Sequence, residues 1–135
     1  MDTDHYRSTK FPATITIASE LEPVEVSGEF TEDGDGFALE FSIGDSKYVL
    51  THGERTVLSV NGLISYTLDF CDAGDVSIET PAGALCYAYM PETCSIGRDG
   101  DEITAELKYT LDDGEEKSLR SVNIHAIINR GSHED

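Results

Sequence analysis

Polar and apolar residues alternate with a period of two along most of this chain, and almost nowhere with the period of a helix. In ATITIAS, Ala13, Ile15 and Ile17 fall on one side and Thr14 and Thr16 on the other. VEVSGEF groups Val24, Val26 and Phe30 against Glu25 and Glu29, and FALEF groups Phe37, Leu39 and Phe41. ISYTLDF sets Ile64, Tyr66, Leu68 and Phe70 against Ser65, Thr67 and Asp69, and DVSIET adds Val76 and Ile78. The cleanest run is EITAELKYTL, with Ile103, Ala105, Leu107, Tyr109 and Leu111 opposed to Thr104, Glu106, Lys108 and Thr110. SVNIHAII sets Val122, Ile124, Ala126 and Ile128 against Asn123, His125 and Ile127. Successive side chains of a strand point to opposite faces, so each segment reads as a half-buried strand.

The joints between these runs carry turn chemistry. SVNGLIS places Asn61-Gly62 between two apolar runs, the strongest short signal for a hairpin. EDGDGF, GRDGDE and LDDGEEK each centre on Asp-Gly, and both residue types tolerate the positive φ of primed turns. Short joints make sequence neighbours into sheet neighbours, giving nine or ten strands in a meander. A sheet of that size either closes or splits into two layers. Gly28, Gly44, Gly83 and Gly97 lie within or beside strands, where glycine allows bends and bulges. The expectation is an all-β fold: a closed antiparallel meander barrel of about 8–10 strands. Residues 1–135 form one domain, with a core over about 13–128 and a short tail at either side.

Charge changes the picture of what the barrel can meet. The chain has 27 acids against nine bases, a net charge of -18 over 135 residues. No Lys or Arg lies between Lys10 and Lys47, where nine acids do, and none lies between Arg55 and Arg98. Affinity for nucleic acid rests on cations that displace counterions, so this chain repels phosphate backbones and anionic membrane surfaces alike. Neither is expected as a partner. A basic protein partner or a second copy of the chain is compatible with the charge. No apolar run approaches the ~18 residues of a spanning helix. MDTDHYRSTK has no apolar stretch like that of a secretory leader, and a cytoplasmic location is expected. Cys71, Cys86 and Cys94 are odd in number and lack CxxC spacing, so no disulfide framework is expected. With few cations to activate them, buried or inert thiols are expected.

The acidic turn TEDGDGFALEF is the most motif-like stretch. A calcium loop of about twelve residues needs oxygen ligands at alternate positions and a closing Glu. Asp33 and Asp35 have the first spacing, but Phe37 stands where the next acid belongs and Glu40 comes too early. A hairpin tip is expected. His5, His52, His125 and His133 are not paired at the short spacings of a zinc site, so no metal is expected. The chain has no GxSxG elbow, no catalytic-cysteine signature and no glycine-rich phosphate loop. We expect neither catalysis nor a cofactor. In GALCYAYM, Leu85, Tyr87 and Tyr89 share one face and Ala84, Cys86 and Ala88 the other. With both faces uncharged, a strand covered on both sides is expected, by neighbouring structure or by a partner. Tyr48, Tyr66, Tyr87 and Tyr109 lie within strands and are the candidate ligand-binding residues. Several tyrosines around one cavity would join apolar surface to hydroxyls, as binding pockets do.

The layout also resembles the YwiB-like family of small bacterial proteins. The likeness spans roughly residues 13–128 and is strongest at ETPAGAL, where the family has a Thr-Pro-aromatic-Gly turn before an apolar strand. Thr80, Pro81 and Gly83 match, while Ala82 replaces the aromatic residue. GRDGDEITAELKYTLDDGEEKSLRSVNIHAII is similar to the family's acidic turn and long final hairpin. The resemblance implies a calycin-like, lipocalin-like barrel, and such barrels often hold small apolar ligands in their mouths. It implies no activity, since fold does not give function. Two functions are expected as alternatives: a barrel holding a small, partly apolar ligand, or a filled barrel that binds protein. An anionic ligand would require Arg55, Arg98 or Arg120 to turn inward.

Overall fold

The computed structural model describes residues 9–19, 22–34 and 36–130. The two terminal tails, with His5 and His133, and Asp35 of the acidic turn lie outside the described residues. All ten elements are strands: β1 (Thr9–Ala18), β2 (Val24–Asp33), β3 (Gly36–Ile43), β4 (Ser46–His52), β5 (Thr56–Asn61), β6 (Tyr66–Asp69), β7 (Gly74–Thr80), β8 (Gly83–Asp99), β9 (Glu102–Asp112) and β10 (Lys117–Ile128). They form one antiparallel sheet in the order β6-β5-β4-β3-β2-β1-β10-β9-β8-β7. Two meanders, β1–β6 and β7–β10, are joined where β1 pairs with β10. The edges of the sheet are therefore β6 and β7, which follow each other in the chain. A single bridge joins them: Ser65 and Glu79 exchange backbone hydrogen bonds of 3.0 and 2.8 Å. The barrel is nearly closed, with a seam at β6–β7.

The period-two residues fill the interior. Phe30, Ile15, Leu39, Leu50, Leu58, Leu68, Ile103, Leu107 and Ile124 are fully buried. Ladder partners share a face, so one inward residue fixes the next: Phe11 faces Phe30, Phe30 faces Leu39, Leu39 faces Leu50, and Leu50 faces Leu58. Gly28 shows why the sheet can curl tightly. A Cβ there would lie 2.4 Å from the Glu40 carbonyl oxygen and 2.6 Å from Ile15 Cδ1. Glycine lets β1, β2 and β3 approach closely on the inner face.

Several joints form as the turn residues require. β2 and β3 pair up to Asp33 opposite Gly36, so the acidic turn is a hairpin tip with Gly34 at φ 61°. Glu40 lies on the outer face and pairs with Lys47 at 3.4 Å. Asn61-Gly62 departs from expectation. Neither residue has positive φ, and the last ladder pair is Val60 with Tyr66, so the connection is not a two-residue primed turn. The Ser65 hydroxyl donates to Asn61 Oδ1 at 3.2 Å and accepts from the Gly62 amide at 3.2 Å, holding a wider loop. Gly62 is needed for space, because a Cβ would lie 2.6 Å from Ser46 Oγ. β8 is also longer than its pattern shows, 17 residues with a register shift between Pro91 and Thr93.

Candidate functional site

Antiparallel order puts the β1–β2, β3–β4, β5–β6, β7–β8 and β9–β10 connections at one end of the barrel and the remaining connections at the other. The second end is plugged by rings. Phe30 lies 6.5 Å from Phe11 and 5.9 Å from Phe37, and Phe37 lies 5.5 Å from His52. Arg98 sits over Phe30 at 4.9 Å and pairs with Glu32 at 3.1 Å. Arg130 sits over Phe11 at 4.5 Å and pairs with Asp101. His52 Nδ1 is 2.8 Å from the hydroxyl of the buried Thr56, which satisfies both groups.

The first end is different. A cavity of about 200 Å³ opens there between the seam strands and β8–β10. Tyr66, Tyr87 and Tyr109 line it, and Ile78, Leu68 and Leu111 supply the rest of its apolar wall. All six are inward positions of their ladders. The cavity follows from the seam: β6 is four residues long, and only the Ser65–Glu79 bridge ties it to β7. Side chains from the two strands therefore cannot interdigitate as they do around the rest of the sheet. Tyr109 in turn packs with Phe70 and Tyr89 in the core, with ring centroids 5.9 to 6.2 Å apart. The Tyr89 hydroxyl donates to the Asp69 carbonyl at 3.0 Å. Burial raises its pKa above the usual tyrosine range, and the nearby Asp69 carboxylate adds to the shift. Asp69 itself is held low, chiefly by the Cys71 amide and then, against its own desolvation, by Arg55.

Three of the four candidate tyrosines thus meet at one cavity. Tyr48 does not line it; its ring stacks on Phe41 at 5.2 Å and 5° on the same inner face. Of the three arginines considered for an inward turn, Arg120 reaches this cavity. It pairs in register with Tyr109, which sets it on the inner face near the start of β10. Arg98 also faces inward but is committed to Glu32 and Phe30 at the plugged end. Arg55 is held outside by Asp69 and Asp72.

Other expected features are placed differently. Ala84, Cys86 and Ala88 are exposed, and no described residue covers that face of β8, so the strand is not covered on both sides. Its neighbours in register, Asp75, Ser77 and Glu79, keep this strip of sheet wet. All three cysteines are exposed rather than buried: Cys86 points outward, Cys71 follows β6 in a turn, and Cys94 follows the β8 register shift. His52 and His125 lie on opposite faces of the sheet, and His125 is bound to Glu102 at 2.6 Å. Among the described residues no group of three His, Cys, Asp or Glu side chains could hold a metal ion. A larger hollow of about 600 Å³ lies at the β4–β5 turn. Its cation is Arg55, already bound by two carboxylates, and its apolar wall is the Phe37 ring packed on His52. The smaller cavity is therefore the better-built site, although it is not the largest. No helix of the described chain is long and apolar enough to cross a membrane.

The fold is similar to that in a crystal structure of the ywiB protein from Bacillus subtilis, with a TM-score of 0.77 over 93% of this chain and 98% of that one. Sequence identity is 13%, so the likeness is one of fold alone. No protein-family model matches the sequence, and no curated protein does.

Proposed function

We propose that this barrel binds a small, partly apolar molecule in the tyrosine-lined cavity at its open end. The observation that carries the reading is the meeting of Tyr66, Tyr87 and Tyr109 with Ile78, Leu68 and Leu111 around one cavity of about 200 Å³. Such walls combine apolar area with hydroxyls that fix orientation. The size selects something small, since about 150 Å³ of apolar space takes a benzene ring. A calycin-like mode of holding ligands, at a barrel mouth, fits this placement. We read the protein as a binder rather than a catalyst, working in a reducing compartment such as the cytoplasm, where three exposed, unpaired thiols persist.

The alternative, a filled barrel that docks protein, draws less support. It rests on the uncharged second face of β8 and on the excess acid, which could steer a basic partner; that face is a narrow exposed strip between acidic and polar neighbours. Native mass spectrometry of protein purified from its own host tests the proposal. A reproducible added mass that disappears on denaturation is the expected result. A bare mass across preparations, with no small aromatic or aliphatic compound retained on screening, would overturn it.

A further inference from the structure

Arg120 differs from the other described arginines. Among the described residues, Arg55, Arg98 and Arg130 each form salt bridges, and Arg120 forms none, in a chain of net charge -18. Its ladder position is what relates it to the cavity. That position is the inner face of β10, at the rim of the cavity and opposite Tyr109 in the ladder. Among the described residues it is also the only charged side chain lining the cavity, whose other walls are tyrosine, leucine and isoleucine. Ile64 shares the cavity wall and is about half exposed, and Leu63, Leu85 and Val24 are also exposed at this end of the barrel, beside the acidic β9–β10 turn.

We infer that the ligand is a monocarboxylate joined to a small apolar group, with its acid on Arg120 and its apolar part in the cavity. This rests on the binding reading above and specifies its chemistry. A guanidinium presents a planar fork that matches a carboxylate with two parallel hydrogen bonds. A neutral ligand would leave the arginine facing the cavity without a counter-charge. A dianion such as a phosphate monoester suits the site less, because one cation would face two charges within a strongly negative protein. The cavity wall has no second base, and the nearest lysine in sequence, Lys117, lies on the outer face. A benzene ring with a short acid arm fits the volume, so 3-phenylpropionate is a suitable probe and 3-phenylpropionamide its neutral partner.

The test is a calorimetric titration of both probes into the wild-type protein, Arg120→Gln and Arg120→Lys. The acid is expected to bind wild type about tenfold more tightly than the amide, the ratio for one charge-assisted pairing at a partly exposed site. In Arg120→Gln the preference for acid over amide should fall to about one. Arg120→Lys should retain part of it, since it keeps the charge but loses the fork. Raising salt should erode the preference in wild type and do nothing in Arg120→Gln. Equal affinities for acid and amide in wild type would overturn the carboxylate inference and leave the cavity's binding role intact. Failure of both probes, together with a bare mass from the host, would overturn both. Unchanged circular dichroism and melting of each variant excludes a folding effect, because Arg120 is exposed and outside the core.

Discussion

The two ends of this barrel solve one problem in opposite ways. Each must finish a column of inward side chains without stranding apolar surface in water. At the plugged end, Phe11, Phe30, Phe37 and His52 pack ring against ring, and Arg98 and Arg130 lie over them with their charges met by Glu32 and Asp101. At the open end Ile64 and Leu85 stay about half exposed, the tyrosines leave a cavity, and Arg120 forms no salt bridge with a described residue. The same residue types appear at both ends. What differs is completeness: one end has its aromatic-arginine contacts made within the chain, and the other presents the parts of such a contact without the partner. The comparison teaches that completeness of contacts, and not the size of a hollow, distinguishes the two ends, since the hollow of about 600 Å³ adjoins the plugged end.

This contrast can be broken by mutation. The largest effect belongs to the plug. Phe30→Ala removes a fully buried ring and should cost about 3–5 kcal/mol in chemical denaturation, against about 0.5 kcal/mol or less for Leu85→Ala at the open rim. Similar losses at both ends would erase the contrast. Next comes Gly28→Ala, which drives a methyl into the Glu40 carbonyl and Ile15; about 1–3 kcal/mol of overpacking is expected from the same denaturation curves. A neutral result would mean that β1–β3 do not approach as closely as described.

Tyr89→Phe is smaller and carries a pH signature. The substitution removes one hydrogen bond to the Asp69 carbonyl, worth about 1 kcal/mol. Because the folded-state pKa of Tyr89 is raised, its contribution is fully present below the unfolded value of about 10 and is lost as pH climbs beyond it. Wild-type stability should therefore fall more steeply with pH above about 10 than that of Tyr89→Phe. Parallel curves would show that Tyr89 is not buried in the core. Smallest of all is Glu32→Gln, which releases Arg98 from its partly exposed pair; about 0–1 kcal/mol is expected, shrinking as salt rises.

Much of this architecture is written in the alternation itself. Period two fixes which side of each strand faces inward, so the inward turn of Tyr66, Tyr87 and Tyr109 follows once Leu68, Tyr89 and Leu107 are taken as core. The Asp-Gly joints likewise name their hairpins. The open end is not legible in the same way. The seam depends on β6 being four residues long, and nothing in ISYTLDF marks Ile64 and Ser65 as lying outside the ladder. Ser65 captures Asn61 and Gly62 through its hydroxyl, which overrides the local preference of Asn-Gly for a primed turn. Cys94 is set opposite Leu107 by a register shift that Pro91 permits but does not announce. Arg120 gives no periodic signal; only its pairing with Tyr109 shows that it stands at the mouth. These misses share a cause: all depend on where strands end and how they stagger, which alternation does not encode.

The central claim is that the open end binds a small molecule while the plugged end does not. Methyl-labelled protein titrated with 3-phenylpropionate and followed by nuclear magnetic resonance tests it most directly. The methyl signals of Ile78, Leu68 and Leu111 should shift in a saturable, concentration-dependent way, with those of Leu39 and Ile103 unmoved. Shifts confined to the hollow beside Phe37 and His52, or no saturable shift at any methyl, would contradict the account.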